Sequence, residues 1–220
     1  MTHPARTFRD FRLLAMDMDS TLISIECIDE IADFIGKKAD VANITAAAMR
    51  GELDWPSSFR QRVALLAGLD ESVLQRVFDE RLRLSPGAEA LIAAAKQAGM
   101  YTLLVSGGFT FFTDRLKAQL QLDAAFSNQL EIIDGKLTGR SIGPLCDADA
   151  KARHVRAAAT QLGITREQIM VIGDGANDLK MMAEAGCSVA YHAKPIVQAQ
   201  ASLSINQGGL DAVLTHFAAG

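Results

Sequence analysis

Apolar residues fall along this chain in two rhythms. Residues 13–16 form an unbroken apolar run that stops at Asp17; residues 100–105 form a second, stopping at Ser106-Gly107-Gly108, and residues 169–172 a third, stopping at Gly173-Asp174-Gly175. Short runs closed by turn residues predict strands buried on both faces. Between them the spacing is helical. Pro86-Gly87 opens a helix that ends at Gly99, and Thr165 with Gln168 predicts a capping box just ahead of the third run. Strand and helix in alternation predict an α/β fold, a Rossmann-like parallel sheet with helices on both faces. Residues 129–139 depart from the pattern, because two apolar runs flank Asp134-Gly135, the signature of a hairpin.

About 60 residues separate the first strand from Pro86 without a strand-like run, too many for an ordinary connection. Ile28, Ile31, Ala32 and Ile35 recur at helical spacing, and residues 41–49, 56–66 and 72–82 continue it. These features predict a small all-helical cap at 25–85, inserted after the first strand into an α/β core made of 1–24 and 86–220.

Composition narrows the class. The 220 residues are 49% hydrophobic and 22% charged, which suits a globular chain and excludes disordered, collagen-like and coiled-coil sequences. Lys and Arg number 22 against 26 Asp and Glu, a net charge of −4 that argues against a nucleic-acid partner. Cys27, Cys146 and Cys187 form no CxxC spacing and point to a reducing, cytoplasmic setting. Arg6, Arg9 and Arg12 precede an apolar run too short for a signal peptide, and no stretch of about 18 uninterrupted apolar residues predicts a membrane span.

In open parallel sheets, ligands gather beyond the carboxyl ends of the strands, so the three run ends are the expected site. Asp17-Met18-Asp19 sets two carboxylates two residues apart at one of them. Alone, that pair also fits a solvated turn capping a helix. Asp174 and Asp178 add two more at another run end, and four acids drawn together need a cation; oxygen donors favour Mg²⁺ over zinc. Ser106 begins a Ser-Gly-Gly-Phe turn whose hydroxyl and backbone N–H groups suit a phosphate, and Lys151 offers a cation to offset the acids.

Taken in order, Asp17-Met18-Asp19-Ser20-Thr21, Ser106-Gly107-Gly108-Phe109, Lys151 and Gly173-Asp174-Gly175-Ala176-Asn177-Asp178 resemble the four motifs of the haloacid dehalogenase superfamily of phosphatases. The helical insertion and the hairpin at 134–139 resemble the branch whose substrate is O-phosphoserine. That resemblance implies an enzyme of serine biosynthesis with Asp17 as nucleophile and Asp19 as general acid and base. It implies Mg²⁺ on Asp17, the Asp19 backbone carbonyl and Asp174, with Asp178 in support, and a phosphoryl group held by Ser106, Gly107, Lys151 and Asn177. In the cap it implies Glu26 for the substrate ammonium and Arg60 for its carboxylate, so that the partner is a small phosphorylated amino acid. Trp55, where relatives commonly have phenylalanine, and Ala152, where many have glycine, depart from the pattern without removing a functional group. The length leaves no room for the regulatory amino-acid-binding domain of some relatives. The core motifs alone leave open a phosphotransferase acting on a small alcohol such as homoserine, a phosphatase for another small phosphomonoester, or a binding module without turnover.

Overall fold

The structure, a computed structural model, describes residues 7–218; Arg6, the first of the three arginines noted above, lies outside the described residues. Strand β1 (Leu13–Met16) is followed by helices α1 (Cys27–Asp33), α2 (Lys38–Met49), α3 (Trp55–Ala64) and α4 (Ser72–Arg76). The chain then runs through α5 (Ala88–Gln97), β2 (Tyr101–Phe109), α6 (Thr110–Leu120), β3 (Ala124–Ile133), β4 (Lys136–Ile142) and α7 (Ala148–Leu162). It closes with β5 (Ile169–Gly173), α8 (Leu179–Met182), β6 (Cys187–Tyr191), α9 (Pro195–Gln198) and β7 (Leu203–Ile205).

The seven strands form one sheet in the order β4-β3-β2-β1-β5-β6-β7, parallel except for the β3–β4 hairpin. Central β1 is flanked by β2 and β5, with Met16 opposite Leu104 on one side and Ile172 on the other. That register decides where the chemistry sits, because it brings Asp17, Ser106 and Asp174 out side by side at one end of the sheet. Every residue of β1 is buried, and its alternating side chains feed two cores. Leu14 and Met16 pack with Leu91, Ile92, Phe112 and Leu116 of α5 and α6, and Leu13 and Ala15 with Val155, Ala159, Met181 and Met182 of α7 and α8. No helix among the described residues is long and apolar enough to cross a membrane.

The insertion after β1 is helical, and its buried residues Ile28, Ile31, Phe59, Val63, Val73 and Val77 join the α5/α6 core. Asp54 starts α3 by accepting a hydrogen bond from Ser57 N at 2.6 Å, with Pro56 in the first turn. The helix expected over 72–82 is divided: α4 stops at Arg76, and a wider turn, closed by Leu82 N to Val77 O at 2.9 Å, carries the chain to Arg81. At its base the insertion is closed by Ser24 N to Arg83 O (3.0 Å) and Ser85 N to Leu22 O (2.9 Å).

A second attachment comes from the hairpin. Gly68 N donates to Leu137 O, Leu137 N to Leu69 O and Glu71 N to Gly135 O, each at 2.8 Å. Just beyond, Gly139 has φ +79°, and a Cβ there would lie 2.9 Å from Ala67 Cβ and 3.1 Å from Ala64 O. Gly139→Val therefore combines a disfavoured backbone conformation with a clash, and should cost about 1–3 kcal/mol and lower the thermal midpoint by several degrees. Thermal unfolding followed by circular dichroism tests this; an unchanged midpoint would mean that the hairpin does not bear on the insertion.

Candidate active site

At the end of β1 the backbone stays extended through Asp17, then enters one wide turn over Met18–Leu22 in which Ser20 has φ 56°. The turn separates the two acids of the first motif. Asp17 remains at the sheet end, where its Oδ1 accepts from Met18 N at 2.8 Å and from Lys151 Nζ at 2.7 Å. Asp19 is turned toward the insertion, and its Oδ1 accepts from Cys27 N, the first residue of α1, at 3.0 Å. Ser20 Oγ donates to Glu26 Oε1 at 2.8 Å, fixing the residue that precedes α1.

Lys151 lies in the first turn of α7, a helix capped by Asp147, which accepts from Ala150 N at 2.8 Å. Its ammonium, 1% exposed, also donates to Asp178 Oδ1 at 2.8 Å, and Asp178, 0% exposed, accepts from Asp174 N and Gly175 N through Oδ2 at 3.2 and 3.1 Å. Thr21 donates to Asp174 Oδ1 at 3.3 Å. Asp17, Asp174 and Asp178 each present an oxygen within 4.8 Å of the others.

Burial raises the Asp17 carboxyl well above its ordinary value, and Asp178 adds to this while Lys151 opposes it. Asp174 is raised to about 6 by burial and by Asp178, and Asp19 to about 7 by burial and by Glu26. Burial alone would lower Lys151, but Asp17 and Asp178 outweigh it and hold the ammonium protonated. Once all three carboxyls are ionised, three carboxylates against one ammonium leave two negative charges in a low-dielectric space, and all donors are oxygen; the site fits one divalent cation. The Asp19 carboxylate is not part of this cluster.

Above the cluster is a cavity of about 660 Å³. The core lines it with Asp17, Asp19, Ser106 to Phe109, Asp174, Asn177 and Lys194; the insertion adds Glu26, Asp29, Trp55, Phe59 and Arg62. Trp55 stacks on Phe59 at 5.2 Å and covers Gly107, whose added Cβ would lie 3.1 Å from the indole. The segment expected to turn after β2 is instead strand up to Phe109, with a register break against β3 between Val105 and Phe109. The glycines permit that break: a Cβ on Gly108 would lie 2.7 Å from Asp19 Oδ2.

One expected residue is misplaced. Arg60 is exposed and does not line the cavity, whereas Arg62 does. Phe59, Val63 and Leu66 mark the buried stripe of this helical stretch; Arg62 is three residues after Phe59 and lies on it, while Arg60 is about 100° round the helix. The same apolar spacing in the sequence identifies Arg62. Its Nε is buried without a hydrogen-bond partner, and Glu26 and Asp29 face its charge. Lys194, also absent from the sequence expectations, is exposed at the rim, and its backbone N donates to Asp174 O at 3.1 Å.

The raised carboxyls carry a stability signature. Between pH 4 and 7 the folded chain holds protons on Asp19 and Asp174 that the unfolded chain, with carboxyls near 3.9, has released. The folded state binds more protons there, so metal-free stability should fall as pH rises through that window. A divalent cation held by the folded state alone offsets the loss. Thermal midpoints from pH 5 to 8 in EDTA should decline, and the increment on adding Mg²⁺ should grow with pH; a metal-free midpoint that rises across this range would contradict the charge assignment.

Residues 14–183 match the haloacid dehalogenase-like hydrolase family. A phosphoserine phosphatase of Polaromonas sp. (strain JS666) is 56% identical over 216 residues, covering 96% of this chain and 92% of that protein. A phosphoserine phosphatase of Albidiferax ferrireducens is 52% identical over 219 residues, covering 97% and 92%. The solved phospho-aspartyl intermediate analogue of a phosphoserine phosphatase superposes with a TM-score of 0.88 at 38% identity, covering 94% of this chain and 99% of that one. With its sheet order, buried acid cluster and helical insertion, the chain belongs to the haloacid dehalogenase-like hydrolases and, within them, to the phosphoserine phosphatase family.

Proposed function

We propose that this chain hydrolyses O-phosphoserine to serine and inorganic phosphate through an acyl phosphate on Asp17, with Mg²⁺ as cofactor. The observation that carries this reading is one cavity lined both by Asp17, which accepts from the buried Lys151 beside Asp178, and by Glu26 and Arg62 from the insertion. Residues 25–85 act as the cap and 1–24 with 86–220 as the core, and the buried thiols of Cys27, Cys146 and Cys187 suit the cytoplasm.

Asp17, the Asp19 backbone carbonyl and Asp174 would hold the ion, with Asp178 in support. Its charge, when bound, offsets the repulsion between the Asp17 carboxylate and the phosphate dianion. Ser106, Gly107 and Asn177 receive the phosphoryl oxygens from the lining, and Lys151 adds its charge from below. A carboxylate oxygen of Asp17 attacks phosphorus as the bond to the serine oxygen breaks, and Asp19 gives that oxygen its proton. With its carboxyl near 7, Asp19 then accepts a proton from a water molecule. The water oxygen attacks phosphorus, the bond to Asp17 breaks, and phosphate leaves.

At the other end Glu26 accepts from the substrate ammonium, and Arg62 grips the carboxylate through two parallel hydrogen bonds, the task first assigned to Arg60. Asp17→Asn should remove nearly all release of phosphate from phosphoserine while the far-ultraviolet spectrum is retained; near-normal turnover would place the nucleophile elsewhere. Arg62→Ala should lower kcat/KM for phosphoserine by about 30-fold, roughly 2 kcal/mol, and for phosphoethanolamine, which has no carboxylate, by far less. Arg60→Ala should stay within about twofold of the parent for both. The reverse order of effects in steady-state assays would return the carboxylate to Arg60.

A further inference from the structure

Asn128 lies in β3, 1% exposed, outside the cavity lining and outside every motif of the sequence. It pairs with Phe109 where β2 loses register with β3, and its side-chain amide is fully engaged there. Its Nδ2 donates to Gly107 O at 2.8 Å and to Gly108 O at 3.3 Å, and its Oδ1 accepts from Cys146 N at 2.8 Å.

The peptide between Gly107 and Gly108 is thus gripped at both ends. Asn128 holds its carbonyl, and its N–H donates to Ser106 Oγ at 2.8 Å. A hydroxyl that accepts from Gly108 N has its one proton left to donate, and Ser106 lines the cavity. The other side of the amide fixes the approach to α7: Cys146 precedes Asp147, which caps that helix and whose carbonyl accepts from Lys151 N at 2.9 Å. One buried amide therefore sets the spacing between the end of β2 that carries Ser106 and the helix that carries Lys151.

We propose that Asn128 is a positioning residue for phosphoryl binding, which orients the Gly107–Gly108 peptide so that Ser106 Oγ accepts from the backbone and directs its own proton at the phosphoryl group. The inference rests on the phosphatase reading, in which Ser106 receives a phosphoryl oxygen. A residue that only stabilised the strand would lower the melting point and the active fraction without depending on Ser106. A residue that acts through Ser106 loses its effect once the hydroxyl is gone.

The test is a double-mutant cycle of the parent, Ser106→Ala, Asn128→Ala and the pair, read as kcat/KM for phosphoserine and as Ki for inorganic phosphate, with thermal midpoints alongside. Asn128→Ala alone should lower kcat/KM about 30-fold and weaken phosphate inhibition about tenfold; on the Ser106→Ala background its cost should shrink to threefold or less. Equal losses in both backgrounds, or a single variant within twofold of the parent, overturn the proposal. If Asn128→Ala does not fold, Asn128→Ser is carried through the same cycle against the same criterion. A parent that releases no phosphate, or a Ser106→Ala variant with unaltered Ki, would instead count against the phosphatase reading, so the two failures are distinguishable.

Discussion

The ammonium of Lys151, buried between the carboxylates of Asp17 and Asp178, ties together three segments far apart in sequence: the end of β1, the first turn of α7 and the loop after β5. Taking such charges out of water costs several kcal/mol each, and the arrangement is tolerable only because every member has a partner within hydrogen-bond distance. Asp178 spends its second oxygen on Asp174 N and Gly175 N, which in turn fixes Asp174 beside Asp17. The acids are therefore held in place before any ion or substrate arrives. What the pair cannot neutralise, two remaining negative charges, is what makes the place receptive to a divalent cation.

This constraint divides labour along the chain. The sheet ends carry Asp17, Ser106 and Asp174, held in place because β1, β2 and β5 are buried and in register. The insertion supplies Glu26 and Arg62, on helices whose apolar stripes continue the core beneath them. Asp19 stands between the two regions, bonded to the first residue of α1 while facing the glycines of β2, and burial together with Glu26 raises its carboxyl.

The central strands, the hairpin and the helical insertion were legible because each is a local pattern: an apolar run ending in acids or glycines, an Asp-Gly turn, a 3.6-residue spacing. The edge of the sheet was less so. Residues 187–191 mix Cys, Ser and Ala with larger side chains, and β7 has three residues, too few to show a period. The extension of β2 through its glycines depends on pairing with β3, which no local pattern announces. Motif spacing carries the acids, Ser106 and Lys151 to the site, but the cap arginine has only a helix around it, and there the stripe of Phe59, Val63 and Leu66 brings Arg62 rather than Arg60 to the cavity. Asn128 was invisible for a further reason, since its contacts reach 18 and 21 residues away and belong to the backbone of its partners.

The insertion is fastened twice, by the paired segments at its base and by the backbone hydrogen bonds from residues 68–71 to the β3–β4 hairpin. Two separated fastenings leave a rigid body one line to turn about, the one that joins them, so the axis of any hinge motion of the insertion runs from its base to the hairpin. The stretch from α2 to Trp55, at the start of α3, lies between these fastenings, so Trp55 is the part of the cavity wall that such a turn would carry over Gly107.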